Sequence, residues 1–133
     1  MTALIEKLAW TPIRNRAILF ARSRHKKLFY AVGGKREPGE DDLTALLREI
    51  EEETGAKLMP DTIRHVHTFV GEADGAPKGT GPTNICYDGV PDREPVPLSE
   101  IEELAWLTTA DMARTTLMGR QILQWFHDQS LID

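Results

Sequence analysis

Three glutamates in the middle of the chain, Glu49, Glu52 and Glu53, are spaced to bring their carboxylates to one side of a helix. Positions i, i+3 and i+4 are neighbours on a helical surface, and like charges there repel by roughly a few tenths of a kcal/mol per pair. Acidic side chains near the end of a helix also oppose its macrodipole. A hard divalent cation such as Mg²⁺, which binds carboxylate oxygens and retains water for a phosphate group, would convert this repulsion into attraction.

The acidic side chains are concentrated around these glutamates. Residues 34–56 contain eight acidic and three basic side chains, so their net charge equals the formal net charge of −5 of all 133 residues. The excess negative charge is therefore local, and we expect a cation to bind there. The alternative is a solvated helix face, which is the usual role of a glutamate-rich helix.

The residues around the glutamates predict a strand, a glycine loop and a capped helix in that order. An apolar run over residues 28–32 ends at the Gly33–Gly34 pair. Asp41 is suited to cap the N-terminus of a helix and Gly55 is suited to end it, which predicts a helix over 42–54. Apolar residues at helical spacing predict its buried face. They are Leu43, Leu46, Leu47 and Ile50.

Residues 34–56 resemble the signature of the Nudix hydrolases, G-x5-E-x7-R-E-U-x-E-E-x-G-U, in which U is a bulky aliphatic residue. The matching positions are Gly34, Glu40, Arg48, Glu49, Ile50, Glu52, Glu53, Gly55 and Ala56. Every spacing is met, and only Ala56 is smaller than the pattern requires. The resemblance implies an α/β fold, an α/β/α sandwich with a mixed β-sheet. It also implies a Mg²⁺- or Mn²⁺-dependent hydrolase of nucleoside diphosphates linked to a further group.

The resemblance extends to the roles of individual residues. The implied metal ligands are Glu49, Glu52, Glu53 and a backbone carbonyl of Gly33 or Gly34. The residues implied to be structural are Gly34, Glu40, Arg48 and Gly55. The chemistry of Arg48 and Glu40 agrees, because a bidentate arginine–carboxylate pair would join the loop to the helix. The metal would lower the pKa of a bound water while a glutamate accepts its proton.

The general base has two possible sources in the sequence. We rank Glu52 and Glu53 of the helix first. Glu100 and Glu103, in the segment LSEIEELAWL, precede a predicted strand that would lie near the site in this fold. A solvated loop is at least as well supported for these two glutamates as a catalytic role.

The remaining pattern fits one domain over residues 1–133, because this length and a hydrophobic content of 41% support a single core. Further strands are predicted at residues 4–13, 17–23, 28–32, 63–73, 83–90 and 104–107. A second helix is predicted over residues 116–129. The three tryptophans, Trp10, Trp106 and Trp125, are interpreted as core residues.

Contacts to substrate phosphate are predicted for Arg22, Lys35 and Arg36. Arg22 ends a segment, ILFAR, that resembles a family strand whose arginine faces the substrate, and the other two lie in the signature loop. The acidic net charge does not support a nucleic-acid surface. We expect a phosphorylated small molecule as the partner, and a monomer or homodimer.

The single cysteine, Cys86, excludes a disulfide within the chain and suits a reducing compartment. No basic segment followed by a long apolar run is found near the start of the sequence. We therefore expect a cytoplasmic protein that does not bind a membrane. His65 and His67 have too few partner ligands nearby to predict a zinc site.

The substrate is only coarsely predicted. Positions at which relatives carry a substrate-specific tyrosine or proline hold Val70, Gly71, Glu72 and Ala73. The small size favours a MutT-like hydrolase of (deoxy)nucleoside triphosphates. The alternatives are a nucleotide-binding or sensing module on the same fold, and an isomerase of the isopentenyl diphosphate type. That isomerase uses a cysteine ahead of the signature, whereas Cys86 follows it.

Overall fold

The computed structural model describes residues 6–71 and 81–133, which form seven strands and two α-helices. The strands are β1 (Glu6–Trp10), β2 (Ile13–Arg14), β3 (Ala17–Ser23), β4 (Tyr30–Gly34), β5 (Arg64–Val70), β6 (Thr83–Asp88) and β7 (Ile101–Leu107). The helices are α1 (Asp42–Thr54) and α2 (Leu117–Asp128). Short 3₁₀ helices cover Pro60–Thr62 and Thr109–Arg114. None of the helices in these ranges is long and apolar enough to span a membrane.

The strands form a mixed sheet in the order β2-β3-β4-β1-β6-β5, with β7 paired to β3. Strands β1 and β6 are parallel, and the other pairs are antiparallel. Through this parallel pair, β5 at one edge is connected with the part of the sheet that carries β4. This architecture confirms the predicted α/β fold with a mixed sheet.

Alternate side chains of the central strands are buried on opposite faces of the sheet, as the period of a β-strand requires. Leu8 and Trp10 of β1 pack with Leu46 and Ile50 of α1 in one core. Ala9, between them in sequence, belongs to a second core on the other face. That core contains the buried apolar side chains of α2, which are Ile122, Leu123 and Phe126. The sheet is therefore covered on both faces, as in the predicted sandwich.

Helix α1 has the predicted bounds. The Asp41 side chain accepts a hydrogen bond of 2.8 Å from the Thr44 backbone N–H, and Gly55 ends the helix in the left-handed region at φ 74°. The predicted buried face is wrong at Leu43, which is 46% exposed. The buried side of the helix is formed by Ala45, Leu46 and Ile50, and Glu53 lies on the same side. The helix thus carries a carboxylate toward the sheet.

Strand β4 is shifted by two residues from the prediction, because it covers residues 30–34 rather than 28–32. Leu28 is exposed, and Gly33 and Gly34 pair with Ala9 and Leu8 of β1. Glycine is a poor strand former, which is why the sequence predicted an end there. The antiparallel ladder with β1 nevertheless continues through both glycines.

Strand β7 begins at Ile101, three residues earlier than predicted, so Glu103 lies within a strand and opposite Arg22 of β3. Strands β1 and β6 end earlier than predicted, at Trp10 and Asp88, and the predicted start of β1 at 4 lies outside the described residues. Strand β5 begins at Arg64, and the predicted end of that strand at 73 lies outside the described residues. Strand β3 has the predicted bounds. Helix α2 matches closely, with its predicted first residue acting as the N-cap.

We predict that Gly33→Ala lowers Tm by at least about 8 °C. Gly33 has φ 145°, and an added Cβ would lie 1.9 Å from the carbonyl oxygen of Leu8. The matched control is Gly39→Ala, because Gly39 also has a positive φ of 84° but nothing lies within 4 Å of an added Cβ. Thermal unfolding of both variants distinguishes the effect of the steric clash on Tm from the effect of the positive φ. Equal decreases in Tm would show that the close approach to β1 is unimportant.

Candidate active site

The side chain of Glu53 is the most deeply buried carboxylate among the described residues, with 5% of the residue exposed. Its Oε1 accepts a hydrogen bond of 3.0 Å from the backbone N–H of Gly33. Helix α1 therefore carries this carboxylate directly to the end of β4. A buried carboxylate must be hydrogen-bonded to be tolerated, and here a backbone amide supplies that bond.

Glu49 occupies the space next to Gly34. A Cβ added to Gly34 would lie 2.3 Å from the carboxylate carbon of Glu49 and within 2.6 Å of both carboxylate oxygens. Any other residue at position 34 would displace Glu49. The Gly33–Gly34 pair thus lets one turn of α1 bring two carboxylates against the strand backbone.

Arg48 joins the signature loop to the helix. Its Nε and Nη2 each donate a hydrogen bond of 2.8 Å to the Glu40 carboxylate, and Nη2 also donates to the carbonyl oxygen of Lys35. This bidentate contact is the one that the chemistry of the two residues predicted. The Arg48 guanidinium lowers the pKa of Glu40 to about 2, with a further contribution from the backbone N–H of Glu37.

Arg48 also contacts two of the predicted metal ligands. Its Nη1 lies 2.9 Å from Glu49 and 3.3 Å from Glu52. The side chain of Glu52 is 53% exposed and is directed to Arg48 rather than to Glu53. Within residues 6–71 and 81–133, no three acidic, histidine or cysteine side chains converge closely enough to form a ready metal site. Glu49, Glu52 and Glu53 therefore lie on one helix, but their carboxylates do not converge on one point.

Electrostatics at Glu53 are unfavourable for its charged form. Burial raises the pKa of Glu53, while Lys7 and the Gly33 N–H oppose this effect. The negative charges of Glu49 and Glu100 raise the pKa of Glu53 further. Burial also lowers the pKa of Lys7, against the attraction of Glu53. A positive ion near these carboxylates would favour the ionised form of Glu53.

The two outlying glutamates differ in their surroundings. Glu100 lies in the turn before β7, and its charge acts on both Glu53 and Lys7. Glu103 lies in β7 and forms an ion pair of 3.2 Å with Arg22. The prediction that both glutamates lie on a loop is therefore wrong for Glu103. Of the two, Glu100 is the one whose charge acts on Glu53.

The basic residues predicted to contact substrate have other partners. Arg22 is paired with Glu102 and Glu103 of β7. Arg36 binds Asp42 at 2.6 Å and Glu6 at 2.9 Å. Hydrogen bonds to those two carboxylates raise the pKa of Arg36. Lys35 is exposed, and its backbone carbonyl accepts from Arg48.

A cavity of about 760 Å³ lies between the sheet and the start of α2. Lys7 and Tyr30 line it next to Glu49 and Glu53, which together are called the acidic site. Asn84 and Gln121 supply amide groups to the cavity. Its other described lining residues are Val70, Gly71, Pro82, Thr116, Leu117 and Met118. Lys7 and Asn84 were not predicted from the sequence as site residues. The available signal was a polar residue beside buried apolar ones in each strand, which does not indicate what that residue faces.

The three tryptophans predicted as core residues all pack against a core, but only one of them is fully buried. Trp10 is buried, and its indole N–H donates to the carbonyl of Gly89. Trp106 and Trp125 are only partly buried. Arg14 stacks on Trp106, and His67 stacks on Trp125 with ring centroids 4.3 Å apart.

Comparison with known proteins assigns the chain to a family. The model of the NUDIX domain matches residues 9–126. No curated protein matches the chain. Among solved structures, a protein assigned to the nudix hydrolase family from Chromobacterium violaceum is 23% identical with a TM-score of 0.76, and the match covers 96% of this chain and 79% of that one.

Two further structures show the same fold. MutT, described for Aliivibrio salmonicida and Vibrio cholerae, is 22% identical with a TM-score of 0.70, and the match covers 96% of this chain and 99% of that one. The third is a bifunctional NMN adenylyltransferase/ADP ribose pyrophosphatase from Francisella tularensis, complexed with AMP and a manganese ion. It is 20% identical with a TM-score of 0.68, and the match covers 97% of this chain and 42% of that one.

We predict that Arg48→Ala lowers Tm at pH 7 by roughly 5 °C or more, since it leaves Glu40 and Glu49 without their cation. Because the folded pKa of Glu40 lies below its unfolded value, its contribution is present above the unfolded pKa and is lost as pH falls toward about 2. The difference in Tm from wild type should therefore shrink between pH 7 and pH 3. Thermal melts across that range measure it.

The control for this variant is Arg93→Ala, which removes an exposed pair with the neighbouring Asp92. Exposed pairs of this kind contribute little, so the control should melt within about 2 °C of wild type. If Arg48→Ala melts like this control and loses only turnover, Arg48 contacts substrate and does not join loop to helix.

Proposed function

Because this chain belongs to the NUDIX domain family and is by class a pyrophosphohydrolase, we propose that it cleaves a diphosphate linkage in a nucleoside diphosphate derivative. Water attacks phosphorus, and Mg²⁺ or Mn²⁺ is the required ion. The observation that supports this most strongly is Glu53, a buried carboxylate held by the Gly33 N–H, with a second carboxylate beside Gly34. Such an arrangement is unfavourable in itself and becomes favourable when a cation binds.

The donors present suit a hard divalent cation. Glu49 and Glu53 lie against adjacent residues of β4, and the charge of Glu100 also acts on Glu53. Glu49 and Glu53 offer carboxylate oxygens, which are the ligands that Mg²⁺ and Mn²⁺ accept. Glu52 would complete the predicted ligand set by leaving Arg48, and the Gly34 carbonyl is the backbone ligand that we expect.

The ion would polarise the phosphoryl oxygens and lower the pKa of the attacking water. The protein's own groups would do the rest. Glu52 or Glu53 accepts the proton of the water, and Gly33 holds Glu53 through its N–H. Arg48 keeps the loop and helix in register through Glu40. No covalent intermediate is required.

The cavity next to Lys7 is proposed to hold the organic part of the substrate. Its volume of about 760 Å³ falls in the usual range for small-molecule sites. Mostly apolar walls with a few polar groups, such as Asn84 and Gln121, suit a nucleobase. A (deoxy)nucleoside triphosphate is the substrate that we consider first.

The experiment is a screen for phosphate and pyrophosphate release from nucleoside triphosphates, sugar nucleotides, ADP-ribose and dinucleoside polyphosphates, with Mg²⁺ and with Mn²⁺. We expect at least one compound to be hydrolysed only when metal is present. Binding without turnover of any compound would favour the alternative, a nucleotide-binding or sensing module on the same fold.

We predict that Mg²⁺ or Mn²⁺ raises Tm of the wild-type protein, because a cation relieves the repulsion at Glu53. Glu53→Gln should lose most of this increase and at least about a hundredfold in turnover. The matched control is Glu51→Gln, on the same helix, whose side chain is exposed and near Lys57. It should retain both the metal-dependent Tm and turnover. An unchanged wild-type Tm at saturating metal would argue against a metal site at α1.

The source of the general base is tested by four glutamine variants. We predict that Glu52→Gln and Glu53→Gln reduce turnover and raise the metal concentration needed for half-maximal rate. Glu100→Gln and Glu103→Gln should each cost less than about tenfold in turnover, well below the usual contribution of a general base. Steady-state rates across a metal titration measure both quantities.

The two outlying variants also control for one another, since Glu103 is paired with Arg22 whereas the charge of Glu100 acts on Glu53. A hundredfold loss of turnover for Glu100→Gln at saturating metal, with the metal dependence and Tm unchanged, would show that the general base is Glu100, in the turn before β7.

A further inference from the structure

Lys7 lies at the junction between the acidic site and the cavity. It is on β1, next to Asn84 of the parallel strand β6, and both side chains line the cavity. Its Nζ donates a hydrogen bond to the carbonyl oxygen of Ala31 and lies 4.3 Å from the centre of the Tyr30 ring. Lys7 is thus a cation placed between the carboxylates of α1 and a largely apolar cavity.

The direct contacts of this ammonium group are with neutral groups. An ammonium has three N–H donors, and the Ala31 carbonyl takes one of them. The carboxylates whose charges act on Lys7 are Glu53, Glu49 and Glu100. None of the described carboxylates forms an ion pair within 4.0 Å of its Nζ, so Lys7 does not neutralise Glu53 by direct contact.

The other basic residues near the site are less available. Arg22 and Arg36 are each paired with two carboxylates, and Arg48 contacts Glu40, Glu49 and Glu52. A substrate that spans the acidic site and the cavity must place a phosphate near their junction. Away from bulk water, a charge-assisted hydrogen bond to that phosphate is stronger than at the protein surface.

We propose that Lys7 is a substrate-binding residue, whose ammonium group binds the phosphate closest to the organic part of the substrate. This inference rests on the proposed function, because it requires a substrate whose phosphates lie at α1 and whose organic part lies in the cavity. It assigns to β1 a role that was predicted for Arg22, Lys35 and Arg36. The alternative is that Lys7 only balances the charge of Glu53.

Binding of phosphate-bearing and phosphate-free ligands separates these roles. The probes are the α,β-methylene analogues of ATP, GTP, CTP and UTP, each compared with its own nucleoside by titration calorimetry in Mg²⁺. Lys7→Met keeps an unbranched side chain, one heavy atom shorter, and removes the charge. We expect it to weaken binding of the tightest analogue by about 10- to 100-fold and to leave binding of the nucleoside unchanged.

The matched control is Lys27→Met, because Lys27 is an exposed lysine in the turn between β3 and β4. It should bind analogue and nucleoside like the wild type. Two results overturn the proposal: Lys7→Met binds the analogue as tightly as wild type, or no analogue binds the wild type at all.

A measurement on the wild-type protein covers the case in which Lys7→Met does not fold. Bound methylene analogue should protect Lys7 from acetylation by an amine-reactive ester, as read by mass spectrometry, while Lys27 remains equally reactive. The nucleoside alone should protect Lys7 less. Equal reactivity of Lys7 with and without the analogue would overturn the proposal. Metal-dependent hydrolysis of a substrate in the screen, together with such a result, would leave the proposed function intact and reject only the role of Lys7.

Discussion

The close approach of helix α1 to the Gly33–Gly34 backbone is the constraint on which the candidate site depends. At Gly33 the backbone N–H must reach the Glu53 carboxylate, and a Cβ would collide with the neighbouring strand. At Gly34 the space of a side chain is taken by Glu49. Both glycines continue the ladder with β1, so the helix rests on regular sheet and not on a loose loop. The sheet backbone thereby limits the positions of the Glu49 and Glu53 carboxylates.

This arrangement carries an electrostatic cost that the surrounding residues partly offset. Burial makes the charged form of Glu53 unfavourable, and Glu49 adds like charge beside it. The positive charge of Arg48 offsets the negative charges of Glu40 and Glu49 on the loop side. The charge of Lys7 offsets that of Glu53 on the side of the cavity. A segment optimised only for stability would not concentrate acids on a helix that buries one of them. The local excess of negative charge is consistent with selection for binding a cation.

The sequence predicted the local features of this region better than its long-range ones. The bounds of α1 follow from Asp41 and Gly55, since caps act through neighbouring backbone groups. The Arg48–Glu40 contact follows from complementary chemistry at a fixed spacing. In contrast, helical spacing places Glu49, Glu52 and Glu53 on nearby positions but does not fix their rotamers. It therefore did not predict that Glu52 is directed to Arg48 and Glu53 to the sheet.

Features that depend on pairing between distant strands were the least predictable. The start of β7 at Ile101 reflects its pairing with β3, and the continuation of β4 through two glycines reflects its pairing with β1. Lys7 belongs to the same group, because its position beside the cavity depends on the parallel pairing of β1 with β6. No local pattern encodes that neighbour. The parallel pairing of β1 with β6 therefore adds Lys7 and Asn84 to the lining of the cavity.

The contacts of Arg48 differ in length, and the shortest are those with the structural residue Glu40. Its two bonds to Glu40 are 2.8 Å long, the contact with Glu49 is 2.9 Å, and the contacts with Glu52 are 3.3 Å or longer. Hydrogen bonds of about 2.8 Å with bidentate geometry are the strong ones, whereas longer contacts to an exposed side chain contribute little. Glu52 can therefore leave Arg48 at low cost while Glu40 remains bound. A rearrangement that brings Glu52 toward the other carboxylates thus need not disturb the bond between loop and helix. Arg48 can remain bound to Glu40 while it releases Glu52, a predicted metal ligand.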